Sequence, residues 1–512
     1  MAIAIPLIVL SITALGFAYF IRLAQERKSS RVEEFFVAGR NIGAPLFTQT
    51  TWGTSFAFGN SIFYAVWLGY SVGLSALWIQ ALWAVGMGFY AFILPKLIVF
   101  TENYTLHGFL GSLYGGWCRV VASIVSVIGL IICLGFEVSF SAQYFAQVIH
   151  LENLEWLVVI LCAVFVAAFC SIGGFKANTV TDKFSNSFVF GVLVFLVILI
   201  LSNNSQLRNS LSIETIKNSL TDFSAANPIY LTGLAFFSMF NIIDMSNWQN
   251  VSANSLNADL SPASKEQRQK MKYAMLKASG LFLAAPVVIG TFLGFFIKIL
   301  GQGTEDQSVF MSKIIFSILP GASIISVIML GIVTFGFMAS SLAGSDSWLL
   351  ASIQTISWDL LDYKKFKQAN FRVSSFSNAL HEFITNRARL LLMIIGVIGA
   401  SAVYYISKNI WHDIFSLQFV IFGGGLSMIP SFIYGVFIGN PKKSKIISAF
   451  ALMSIIFGYG SALSLFVISL IKSDSHLVEG LPILTLGVSL LFFLIGLLFD
   501  YAKNHVLKNN IS

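Results

Sequence analysis

Four carboxylates could do chemistry in this chain. Asp346 and Glu137 stand within stretches that are otherwise apolar or built from small residues, and Asp182 and Asp244 stand near the cytoplasmic ends of such stretches, Asp244 either interfacial or lining an inner cavity. Asp346 lies in "MASSLAGSDSWLLASIQTISWDLLDYKK", Met338 to Lys365, among alanines, a glycine and serines. Glu137 lies in "ICLGFEVSFSAQYF", Asp182 in "GGFKANTVTDKF" and Asp244 in "DMSNWQN". A carboxylate inside a bilayer is costly and must find a partner, so such residues read as ion or solute sites by default. The chemistry open to them is to bind a cation, carry a proton or hold a polar solute. The plainer alternative is helix packing, with the acid bonded to neighbouring hydroxyls; for Asp182, beside Lys176, it is a solvated carboxylate at a helix start. Covalent chemistry is not indicated. No His/Ser/Asp arrangement, metal-ligand cluster or phosphate-cradling loop is present, so the chain does not read as an enzyme.

The elements that position these acids follow from composition. Hydrophobic residues make up 56% of the 512 and charged residues 11%, against roughly a quarter charged in a globular domain. Apolar runs long enough to cross a hydrocarbon core of about 30 Å recur from end to end. The chain reads as an all-α polytopic membrane protein with 13 spans, near 3–22, 42–71, 73–98, 119–147, 156–174, 184–203, 229–249, 273–300, 321–352, 389–408, 413–438, 446–471 and 481–501. The net charge of +8 sits in short loops and is no nucleic-acid footprint. The four cysteines form no CxxC pair. The apolar N-terminus lacks a basic leader and reads as a retained span.

Lysine and arginine set the orientation. With the first loop cytoplasmic, that side carries 25 of the 31 basic residues, and Arg208, Lys217, Lys298, Lys313, Lys408 and Lys472 remain outside. This bias places the N-terminus outside and the C-terminus in the cytoplasm of a plasma membrane, a bacterial inner membrane by expectation. No loop is long enough for a nucleotide-binding or sensor-kinase domain.

Two spans are polar and interrupted. One runs through Thr48, Gln49, Thr50, Thr51, Trp52, Gly53, Thr54 and Ser55 to Gly59, Asn60 and Ser61; the other carries Asn241, Asp244, Ser246 and Asn247. They open two five-span blocks, 42–203 and 229–438, after a leading segment 1–41 and before two trailing helices in 446–512. An odd number of spans inverts the second block against the first. Matched, interrupted helices in inverted halves point to a transporter's binding site, because unpaired backbone is tolerated only where it lines a cavity or is buried in protein.

The loop "EEFFVAGRNIG", Glu33 to Gly43, resembles the entry to the first core helix of the sodium/solute symporters. "GGFKANTVTDKF" is similar to that family's Gly-Gly, Ala, Thr-Asp loop, with Ser185 where Gln is usual. "DMSNWQN" resembles its Asp-x-x-x-Trp-Gln-Arg, with Asn250 in place of Arg, and Asp359-Leu360-Leu361 ends a similar small-hydroxyl helix. The resemblance spans roughly residues 33–440. It implies a LeuT-type 5+5 inverted-repeat fold, alternating access, and cation symport of a small polar organic solute. No cofactor motif is present; sodium is the ion the resemblance implies.

The candidate cation-site residues are Gln49, Trp52, Ser340, Ser341, Ala343, Gly344, Asp346, Ser347 and Asp182. The candidate solute-site residues are Thr51, Gly53, Thr54, Ser55, Glu137, Asn241 and Asp244, with Trp52 as a wall or gate. Ser139, Ser141 and Gln143 are the expected partners of Glu137. The family's pair of sodium-binding hydroxyls falls on Ser340 and Ser341 in one register, and on Ala343 and Gly344, which carry no side-chain oxygen, in another. In either, Asp346 is expected to take part in ion coupling. The alternatives are a proton-coupled or uncoupled carrier and a solute sensor that does not cycle. The sequence names neither the solute nor the oligomeric state.

Overall fold

Long apolar helices make this molecule, and a few small residues decide where they break. In the computed structural model the described residues are 4–40, 42–223, 228–255, 263–304, 306–319, 323–368, 376–411, 414–438, 444–472 and 474–509. Asn41 and the basic residues Arg372, Lys442 and Lys443 lie outside them. Among the described residues ten helices are long and apolar enough to cross a membrane.

The runs Phe58–Thr101 and Glu152–Asn203 each carry two of the expected spans, and the 414–437 segment is assembled from shorter helices. The number ten arises because two of these helices merge pairs of expected spans and one expected span is built from shorter pieces. Gly73 (φ 80°) and Gly174 (φ 58°) change the chain's direction inside the two long runs, in a backbone region that residues with a Cβ avoid. At Gly174 a Cβ would also lie 2.6 Å from the Phe35 carbonyl oxygen. Gly174→Ala is therefore expected to cost about 1–3 kcal/mol from the backbone alone. A lowered melting temperature of the detergent-solubilised protein would report it; an unchanged one would show that the bend is not strained.

Two helices are broken, as their sequences suggest. The first runs Gly43–Ser55, opens at Phe56 and Ala57, and resumes over 58–72. The second runs Pro228–Phe237, tightens through Ser238–Ile242, and restarts as Met245–Ser252. The helix Ile324–Thr355 is buried from Thr334 to Thr355 and packs against Gly116–Val148, Glu155–Asn203 and the leading helix Ala4–Glu26. Its small residues allow this closeness: a Cβ on Gly344 would lie 2.5 Å from that of Ala57, at the first break. The trailing helices Lys445–Lys472 and Leu481–Asn509 pack against each other.

The end of the core rich in basic residues is fastened by bonds to backbone. Arg40 donates from Nη2 to the Thr101 carbonyl (2.7 Å) and Gln249 from Nε2 to that of Phe36 (2.8 Å). Ile42 N–H donates to the Ala253 carbonyl (3.1 Å) and Gln354 from Nε2 to that of Tyr104 (3.0 Å). Tyr104 also stacks on Trp358, ring centroids 4.4 Å apart.

Candidate functional site

Both breaks face one cavity. Thr54 and Ser55 from the first half-helix, and Asn60 and Ser61 from its continuation, line it with Asn241 and Asp244 of the second broken helix. It measures about 770 Å³ including its open mouth. Thr51 and Gly53, expected in the same wall, are not among its lining residues. A helix turns about 100° per residue, so a five-residue run cannot all face one way. Trp52 is likewise no wall of this cavity: its ring stacks on Phe56, centroids 5.1 Å apart and nearly parallel. The aromatic lining is Tyr64, Trp83, Phe237, Phe282, Trp348 and Phe422 instead.

Gly53 points elsewhere. A Cβ there would lie 3.1 Å from the Asp182 carboxyl carbon and 3.1 Å from Asn186 Nδ2. Glycine thus brings the first half-helix against the helix that follows Gly174. Asp182 is not a solvated loop acid, because residues 173–184 are helical apart from the Gly174 bend and its side chain is fully buried. Lys183 and Phe184 take the exposed face, while Asn178, Asp182 and Asn186, spaced by four, share the inner one. Asn186 Nδ2 donates to the Gln49 carbonyl (2.8 Å).

Asp346, also fully buried, approaches from Ile324–Thr355. Its Oδ1 accepts a long bond from the Ser347 hydroxyl (3.4 Å). That hydroxyl also accepts from Thr54 (3.0 Å) and from Asn178 Nδ2 (3.2 Å). Asp182 lies in the field of Asp346, with the Thr50 hydroxyl beside it. Apart from the Thr50 hydroxyl beside Asp182 and the Asn178 amide beside Asp346, the oxygens of Asp182, Asp346 Oδ2, the Asn178 and Asn186 amide oxygens and Gln49 Oε1 meet no hydrogen-bond partner. Among the described residues no basic side chain pairs with either acid. Buried oxygens with nothing to accept from are rare in folded proteins. Two buried carboxylates beside several unpaired oxygens, with no cationic side chain among the described residues, suit a hard cation or protons.

The two registers of the sodium hydroxyls meet the same break. Ser340 donates to the Phe56 carbonyl, where the first half-helix ends. Ser341 turns away and donates to the Ser141 hydroxyl (2.9 Å). Gly344 lies against Ala57, and the Ala343 carbonyl accepts from Ser347 (3.1 Å). Of the four, Ser340 alone brings a hydroxyl to the break.

Glu137 has other partners than those expected. Its Oε1 accepts from the Gly59 N–H (2.8 Å); its Oε2 accepts from the Asn60 N–H (2.9 Å) and Asn60 Nδ2 (2.8 Å). Ser139 and Ser141 bond to backbone carbonyls of their own helix, and Gln143 Oε1 has no partner. The orphan amides of a helix start are a stronger attraction for a carboxylate than hydroxyls are. Asp244 does the same at the second break, where its oxygens accept from the Ser246 N–H (2.8 Å) and hydroxyl (2.7 Å). Sequence reasoning passed over Thr50, Asn178 and Asn186; the spacing of the two asparagines around Asp182 was the available signal.

Two helices broken at matched places, with a buried oxygen cluster beside the cavity they share, belong to the LeuT-type arrangement. The solved structures agree. The substrate-bound, outward-open state of a Na+-coupled sialic acid symporter, described as revealing a novel Na+-site, superposes with a TM-score of 0.71. The match covers 95% of this chain and 96% of that one at 12% identity. Mhp1, a nucleobase-cation-symport-1 family transporter holding bromovinylhydantoin in a closed conformation, gives 0.56 over 93% and 95%, also at 12% identity. MhsT in complex with L-phenylalanine gives 0.51 over 85% and 99% at 11% identity. No family model matches the sequence, and neither does any curated protein. The chain is a multi-pass membrane protein of LeuT-type fold.

Proposed function

We propose that the protein is a secondary active transporter that imports a small polar organic solute by cation symport and alternating access. The observation that carries this is the partnerless oxygen cluster around Asp182 and Asp346, next to a cavity shared by both broken helices. Sodium is the cation of choice, since every available ligand is a neutral or anionic oxygen. The named Na+-coupled neighbour supports the same reading. In this reading Asp182, Asp346, Ser347 and the Gln49 and Thr50 oxygens hold the ion. Thr54, Ser55, Asn241 and Asp244 hold the solute, and Glu137 fixes the break between them.

A second reading, proton coupling, is favoured by one specific feature. The two acids lie in each other's field, and a proton held between them would relieve the same repulsion. The chain would sit in a plasma membrane with its N-terminus outside and its C-terminus cytoplasmic. A reporter active only in the cytoplasm, fused after Ser512, is expected to give signal; silence from a stably expressed fusion would refute that topology. Transport itself is tested by counterflow of labelled solute in proteoliposomes. Exchange is expected, and its absence for a solute shown to bind would leave a sensor.

A further inference from the structure

We infer that the transported solute carries an ammonium group and is not an anion, an inference that rests on the transporter reading above. The N-terminus of each resumed half-helix in a broken helix is an anion site by nature, because its free N–H groups and dipole favour negative charge. Here the protein fills both with its own carboxylates. Glu137, fully buried, takes the Gly59 and Asn60 amides. Asp244 takes the Ser246 amide. The Gly59, Asn60 and Ser246 amides are therefore not open to a carboxylate or phosphate of the solute.

The rest of the cavity agrees. Among the described residues its lining contains no lysine, arginine or histidine, and Asp244 is its sole carboxylate. Asp244 is 8% exposed, whereas Glu137 is closed off at 0%. Each Asp244 oxygen accepts one bond from Ser246 and keeps a lone pair for another donor. The facing wall is aromatic: Trp83 lies 5.1 Å from Phe237 and 5.7 Å from Phe422, centroid to centroid. A carboxylate beside tryptophan and phenylalanine faces is the environment that attracts organic ammonium ions. An anion entering it would meet a like charge and no donor of opposite charge.

The test is ligand-induced thermal stabilisation of the purified full-length protein in sodium-containing buffer. The probes are choline, ethanolamine and tetramethylammonium as cations, mannitol and uracil as neutral solutes, and pyruvate and N-acetylneuraminate as anions. Stabilisation is expected from at least one ammonium compound and from neither anion. Asp244→Asn keeps the helix cap, since asparagine caps as well as aspartate, and is expected to weaken that binding at least about tenfold. Trp83→Leu is expected to weaken it several-fold, and Asp306→Asn, in an exposed loop, to leave it unchanged. Stabilisation by an anion, silence of all three ammonium compounds, or full affinity in Asp244→Asn would overturn the inference. Sodium binding to the solute-free protein is measured in parallel. A sodium response with silent ammonium probes sinks the solute class and leaves the transporter standing. Ammonium binding without counterflow keeps the solute class and sinks transport.

Discussion

Replacing Asp346 with asparagine is expected to raise the sodium concentration that half-saturates transport on the order of 100-fold. Asp346 and Asp182 are both fully buried, and neither has a basic partner among the described residues. Removing one charge about 4 Å from a bound cation forfeits about 4 kcal/mol at an effective dielectric near 20. Relief of the repulsion between the acids returns part of this, which leaves about 2–3 kcal/mol, or roughly 100-fold. The measurement is uptake by proteoliposomes at saturating solute, across sodium concentration and pH. Asp182→Asn is expected to shift the curve in the same direction. A variant whose pH dependence vanishes while its sodium response persists would select the proton-coupled reading. Unchanged rate and unchanged ion dependence would end the assignment of Asp346 to coupling.

The second large effect is expected at Glu137. Glutamine keeps the size of the side chain but only one of its acceptor oxygens. Its amide nitrogen would then face the Gly59 N–H, or else Asn60 with its two donors. Bonds to a charged acceptor contribute about 1.5–3 kcal/mol each, and a buried donor left unmet adds its own cost. Glu137→Gln should therefore destabilise the protein by about 3 kcal/mol or more. The checks are a melting temperature lower by several degrees and weakened solute binding, since Asn60 and Ser61 line the cavity just beyond the break. Glu152→Gln, on an exposed helix start, serves as the control and should leave both unchanged. Equal melting temperatures would mean that the break holds its shape without Glu137.

Much of this architecture was legible because apolar length and interrupted polarity are local signals. The run from Thr48 to Ser61 marks the first broken helix, and the polar residues from Asn241 to Asn247 mark the second. What escaped was facing. Lys176 and Lys183 flank Asp182 in sequence and suggested a loop in water. In the fold Lys176 pairs with Glu34 (3.8 Å) at the surface, while helical rotation turns Asp182 inward. Trp52 looked like a gate because it lies mid-span, but its stacking on Phe56 depends on the break itself. Glu137 was readable as a costly buried acid. Its partners were not, because they come from a helix start 77 and 78 residues away in sequence.

The fastening at the basic end of the core has a consequence for how the molecule would respond to its surroundings. Arg40, Gln249, Ile42 and Gln354 all donate to backbone carbonyls. Arginine keeps its charge at any physiological pH, and the amide donors and carbonyl acceptors do not titrate there. These four bonds therefore do not themselves titrate in the physiological range, and their uncharged acceptors make them insensitive to ionic strength. At about 1 kcal/mol net per bond they amount to about 4 kcal/mol. One charge falling through 100 mV releases about 2.3 kcal/mol. The four bonds together are thus of the same scale as the free energy that one charge crossing the membrane would release.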